Sequence, residues 1–81
     1  MDLFLNSLKP GESARIVKIT GTGAIKRRLF DMGMTPGAQL RVRKVAPLGD
    51  PMEITLRGYE LSLRNNEAAM VVVEREKGVQ S

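Results

Sequence analysis

Arg28-Leu29-Phe30-Asp31-Met32-Gly33-Met34-Thr35-Pro36-Gly37 reads as the end of a short helix, a stop, and a tight turn into a strand. Ile25, Leu29 and Met32 recur at helical spacing and form one apolar stripe, which places a helix over about residues 24–32. Gly33 stands where a helix commonly ends on a left-handed residue. Pro36-Gly37 fits the centre of a type II turn, because proline presets φ and glycine accepts a positive one. So short a helix does not persist alone in water, so its stripe must pack on something.

On either side the pattern is that of strands. Upstream, Leu3, Leu5 and Leu8 lead into the turn signal Lys9-Pro10-Gly11. Ser13 to Thr20 is rich in β-branched residues, but Ala14 and Ile16 share one face while Val17 and Ile19 share the other. Such a break in phase means either a strand covered on both faces or a bulge. Thr22 stands as a helix N-cap. Downstream, Leu40 and Val42 alternate with Arg41 and Arg43, and Val45 then falls out of phase. Pro47-Leu48-Gly49-Asp50-Pro51 marks a loop, with Asp50 suited to an Asx turn. Met52, Ile54 and Leu56 alternate cleanly with polar residues, the signature of a half-buried strand. Leu61 and Leu63 form a short alternating piece, Asn65-Asn66-Glu67 suits a turn or single helical turn, and Val71-Val72-Val73 forms a final strand. Five short strands, one helix and many Gly/Pro turns predict an all-β fold, a small closed or nearly closed β-barrel with one short inserted α-helix. One domain over residues 1–75 and a polar tail over 76–81 complete the division of the chain.

Composition removes whole classes of chemistry. The 81 residues include no cysteine and no histidine, so disulfides, thiolate ligands, cysteine nucleophiles and imidazole bases are excluded. No apolar run approaches the roughly 20 residues of a membrane span, and Leu3-Phe4-Leu5 is too short, with Asp2 beside it, to be a signal peptide. Thirteen basic against nine acidic residues leave a net charge of +4. That balance suits nucleic acid, an anionic membrane face or an acidic protein, and equally the surface of any soluble basic domain.

Three ordered words carry a resemblance: Arg28-Leu29-x-x-Met32-Gly33-Met34-x-Pro36-Gly37, then Ala46-Pro47-Leu48-Gly49-Asp50-Pro51, then Leu56-Arg57-Gly58-Tyr59-x-Leu61-Ser62-Leu63-Arg64-x-x-Glu67-Ala68. Together, from about Leu5 to Glu74, they closely resemble FeoA, the ferrous iron transport protein A family. The resemblance implies an SH3-like barrel with a helix inserted after the first strand. It also implies a cytoplasmic regulatory role in Fe2+ uptake, through contact with the cytosolic GTPase part of the membrane transporter FeoB, with recruitment to the inner membrane face.

The residues themselves point the same way. Serines, threonines, Tyr59, lysines and carboxylates form no recognisable nucleophile–base pair, so no enzyme, catalytic residue or cofactor is expected. Asp31, Asp50, Glu53, Glu60 and Glu67 are scattered among arginines, which would repel a cation, so no metal site is expected. Lys26-Arg27-Arg28 and Arg41-Arg43-Lys44 could track phosphates, which makes nonspecific nucleic-acid binding the alternative. With three aromatics, Phe4, Phe30 and Tyr59, and none alternating with basic residues on one strand, a stacking platform is missing. A docking patch is therefore assigned to apolar anchors Phe30, Leu48, Met52 and Tyr59 with Arg27, Arg28 and Arg57 as a basic rim. From the ligand set alone, anaerobic titration with Fe(II) is expected to give no stoichiometric sub-micromolar site; finding one would promote the carboxylates to ligands.

Overall fold

The alternating segments assemble into one antiparallel sheet. In the computed structural model, which describes residues 2–76, the elements run β1 (Asp2–Phe4), a 3-10 turn (Leu5–Ser7), β2 (Ser13–Ile19), α1 (Gly23–Asp31), β3 (Gln39–Val45), β4 (Met52–Leu56), β5 (Tyr59–Leu63), α2 (Asn65–Ala68) and β6 (Val71–Arg75). The six strands are ordered β1-β6-β2-β3-β4-β5. All five pairings are antiparallel. The all-β class of the barrel type is therefore present, with the short inserted helix α1 and one further helical turn, α2, and with the sheet left open between β1 and β5. The Leu5–Ser7 turn packs against α2 there, and Asn6 Nδ2 lies 3.4 Å from Asn65 Oδ1. The inserted helix follows the Ser13–Ile19 strand as expected. That strand is second in the chain, because Asp2–Phe4 adds a short strand against β6 at Leu3↔Val73.

Both breaks of phase in the sequence are β-bulges. The β2–β6 register shifts between Ile16 and Lys18, which lets Ala14, Ile16 and Ile19 all reach the core while Val17 is only half-buried. The β3–β4 register shifts between Val42 and Lys44, which moves Val45 back toward the core side. The core is the inner sheet face, with Ile16, Ile54, Leu63, Val71 and Val73 buried beside Leu5 from the 3-10 turn.

Helix α1 seals this core with Leu29, which is fully buried, and Ile25 and Met32 pack beside it half-buried. The helix ends in a Schellman arrangement. The Gly33 N–H donates to Phe30 O at 2.9 Å and the Met34 N–H to Leu29 O at 3.0 Å, with Gly33 at φ +94°. Leu29 and Met34, which flank the stop, are both completely buried. The turn that follows is closed by Ala38 N–H to Thr35 O at 3.0 Å, with Gly37 at φ +92°. Thr22 occupies the N-cap position, but its hydroxyl makes no capping bond. Of the tail assigned to 76–81, only Glu76 lies within the described residues. Its N–H donates to Ser13 O at 2.9 Å, which extends the sheet's bonding by one residue.

Leu29→Ala is expected to cost about 2–5 kcal/mol in urea unfolding. Gly33→Val is expected to cost roughly 1–2 kcal/mol through φ alone, since a Cβ there would meet Leu56 Cδ2 at an ordinary 3.5 Å. A Gly33→Val midpoint equal to wild type would contradict this account of the helix stop.

Candidate functional site

The residues assigned to a docking patch divide among three places. Phe30 projects from the outer side of α1, off the buried stripe, and is 37% exposed. Lys26, one helical turn earlier, sets its Nζ 5.7 Å from the ring centroid, a distance suited to a cation–π contact. Gly23, Lys26, Arg27, Phe30 and Asp31 line a shallow concavity of about 340 Å³. Leu48 sits at the tip of the β3–β4 loop, 94% exposed. Tyr59 begins β5 and is 73% exposed, beside the Arg57-Gly58 hairpin turn. Arg57 Nη2 lies 3.3 Å from Thr35 Oγ1, so the hairpin tip touches the turn that follows α1.

Met52 is a correction. It is 2% exposed, a core residue paired with Leu63 and Val45, and cannot serve as a surface anchor. The cause is the alternation of Met52, Ile54 and Leu56, which points all three inward. Leu48 and Tyr59 are also not neighbours along the sheet. Leu48 precedes the Met52 end of β4, and Tyr59 opposes Leu56 at the other end, about 13 Å along the strand.

Arg28 of the basic rim keeps a 60% exposed side chain but is already paired. Its Nη1 lies 3.2 Å from Glu67 Oε2, and the Glu67 side chain is only 5% exposed. Glu67 Oε1 accepts the Arg64 N–H at 2.9 Å, so one carboxylate caps α2 and grips α1. Asp50 does not close an Asx turn in its own loop. Its Oδ1 accepts the Asn65 N–H at 3.1 Å, across fifteen residues of sequence. These contacts wall a groove of about 430 Å³ lined by Arg28, Asp50, Pro51, Ser62, Arg64 and Glu67. Sequence reasoning missed this groove. Its signal was the Arg64-x-x-Glu67 spacing, a glutamate at the third helical position, in front of which a serine, threonine or aspartate is usual.

Part of the charge on β2 and β3 is committed locally, while Arg41 and Lys44 make no ion pair among the described residues. Arg43 pairs with Glu60 at 3.0 Å and approaches Glu53 at 3.8 Å, and Arg15 pairs with Glu74 at 2.9 Å. Among the described residues, Arg27, Arg57 and Arg64 make no ion pair, and no three acidic side chains converge as a metal site would require.

Comparison with known proteins gives a consistent result. The FeoA domain family matches residues 4–75. A curated relative, the Fe(2+) transport protein A/Fe(2+) transporter FeoB fusion protein of Porphyromonas gingivalis, is 37% identical over 70 residues, covering 86% of this chain and 8% of its own length. The solution structure of an FeoA-like protein from Clostridium acetobutylicum superposes with a TM-score of 0.88 at 31% identity, covering 99% of this chain and 93% of the other. A zinc complex of FeoA from Stenotrophomonas maltophilia, described as a prokaryotic SH3 domain protein, gives 0.79 at 29% identity and 89% coverage of both chains.

Arg28→Ala and Glu67→Gln are each expected to lower stability by about 1–3 kcal/mol. The double variant should lose at least about 0.5 kcal/mol less than the sum, since the two groups share one contact. Strict additivity in urea melts would show that the pair contributes nothing.

Proposed function

The chain belongs to the FeoA domain family, and from that premise we propose that it is an accessory of ferrous iron uptake that docks on the cytosolic GTPase part of an FeoB-like transporter. The observation that carries the reading is the Porphyromonas gingivalis relative, named as a single polypeptide joining a transport protein A segment to an FeoB transporter. A covalent link raises the effective concentration of one module at the other and does the work of a docking contact. Without such a link, a domain of this kind reaches the same arrangement through its surface. The Stenotrophomonas maltophilia structure, described as a candidate activating factor of bacterial ferrous iron transport, supports the same role.

The surface suits a contact of this kind. Phe30 and Tyr59 offer large apolar contact area, Leu48 offers a protruding aliphatic tip, and Arg27 and Arg57 carry charge without a carboxylate partner among the described residues. Anchors supply affinity while peripheral charges steer and orient. The chain acts in this reading by contact alone, on the inner face of the membrane, without a reaction of its own. So small a surface makes the contact transient, burying less than about 1,200 Å².

Binding to the purified cytosolic part of an FeoB-like transporter, with and without guanine nucleotide, tests the reading. Phe30→Ala and Tyr59→Ala are each expected to weaken it by about thirtyfold with little change in stability. Met52→Ala behaves differently, lowering stability by about 2–5 kcal/mol because it empties core volume. Wild-type binding and full Fe(II) uptake in cells carrying both surface variants would remove Phe30 and Tyr59 from the contact. Unchanged uptake on deleting the whole chain would overturn the transport role.

A further inference from the structure

Strand β5 lies at one edge of the sheet, paired only with β4. Its hairpin turn, Arg57 at φ +54° and Gly58 at φ +85°, is a two-residue turn of type I′. In such a hairpin the flanking pair, Leu56 and Tyr59, exchange hydrogen bonds, and the pattern then alternates. Tyr59, Leu61 and Leu63 therefore bond to β4, while Glu60 and Ser62 turn their N–H and C=O groups outward. The other side of the sheet agrees. Val42 bonds Gly11 and Glu12 with its own N–H and C=O, so the neighbouring Arg41–Thr55 pair bonds across β3–β4, and Ile54 and Leu56 are left to face β5. Among the described residues, the outward groups of Glu60 and Ser62 find no backbone partner.

Most exposed edges carry a proline, a bulge or extreme shortness that blocks further pairing. The opposite edge, β1, is three residues long. β5 has five residues, an unbroken register and no proline. On its inner face the cover fails progressively, from buried Leu63 to half-buried Leu61 to Tyr59 at 73% exposure. The groove beside Arg28 and Glu67 borders the Ser62–Arg64 end. Arg57 precedes the strand and Arg64 follows it, both exposed and both without an ion pair among the described residues.

We propose that the β5 edge is a docking strand for an extended segment of a partner protein, whose alternating apolar residues cover Tyr59 and Leu61 and whose acidic flanks meet Arg57 and Arg64. Backbone bonds to Glu60 and Ser62 supply the affinity, and the two arginines set the choice of partner. A second copy repeats the unpaired Arg57 and Arg64 and the net charge of +4, so charge favours an acidic segment over self-pairing as the occupant. The source of the segment rests on the transporter reading; the chemistry of the edge rests on β5 alone.

The probe is a blocked peptide, Asp-Asp-Val-Thr-Val-Thr-Val-Asp-Asp, followed by NMR on the whole chain. Expected are shifted, slower-exchanging amides at Glu60 and Ser62, and no binding of a counterpart with lysine flanks. Ser62→Pro removes one outward N–H and leaves the β4 ladder whole; it should weaken peptide binding by about tenfold or more. Arg57→Gln with Arg64→Gln, which leaves the strand untouched, should weaken binding and flatten its salt dependence. Equal binding of the lysine-flanked peptide, shifts confined to other residues, or no shifts at millimolar peptide overturn the proposal. Protection of Glu60 and Ser62 that grows with protein concentration without peptide also overturns it, in favour of a second copy. Docking on the transporter that leaves those two amides unprotected removes this inference and keeps the transporter reading, whereas peptide binding without transporter docking does the reverse.

Discussion

One buried carboxylate ties together the parts of this fold that a single sheet would leave loose. Glu67 gives one oxygen to the Arg64 N–H and the other to the Arg28 guanidinium. It can do so at low exposure because both of its oxygens are occupied, and burying a carboxylate without such partners is costly. The result is geometric. The end of β5, the start of α2 and the middle of α1 meet at one point, and Asp50 on Asn65 adds the loop before β4 to the same junction. Leu29, with Ile25 and Met32 beside it, supplies the apolar hold on α1, and the Arg28–Glu67 pair adds a polar tie from α1 to α2. The groove exists because four segments converge there without filling the space between them.

The legible part of the fold was the part written in periodicity and turn residues. Gly33 and Pro36-Gly37 announced their backbone conformations, since few other residues take a positive φ without strain, and both glycines are found there. The two phase breaks in the strands were visible, and the bulges chosen by the fold explain both. Strand β1 was not legible, because three residues are too few to show an alternation and Leu5 and Leu8 continue the apolar run past its end.

The candidate site was legible only in part. Phe30 and Leu48 stood out because one left a stripe and the other fell in a turn, and both are exposed. Met52 carried its own refutation in the Met52–Ile54–Leu56 alternation. Arg28 was legible as surface charge, but nothing local shows that Glu67, thirty-nine positions away, pairs with it. Likewise the openness of β5 depends on which strands neighbour it. That is a property of sheet order, which no single segment encodes.

The β3–β4 loop is closed by its own backbone and tied to α2 through Asp50, with no contribution from the Leu48 side chain. Ala46 N–H donates to Pro51 O at 3.0 Å and Gly49 N–H to Ala46 O at 2.7 Å, while the Leu48 side chain stands almost wholly in solvent. The identity of residue 48 is thus uncoupled from the stability of the domain. Substitution there alters what the surface offers without a folding penalty, so the tip is free to drift. Lineages descended from a common ancestor could diversify recognition at this position while inheriting an unchanged scaffold.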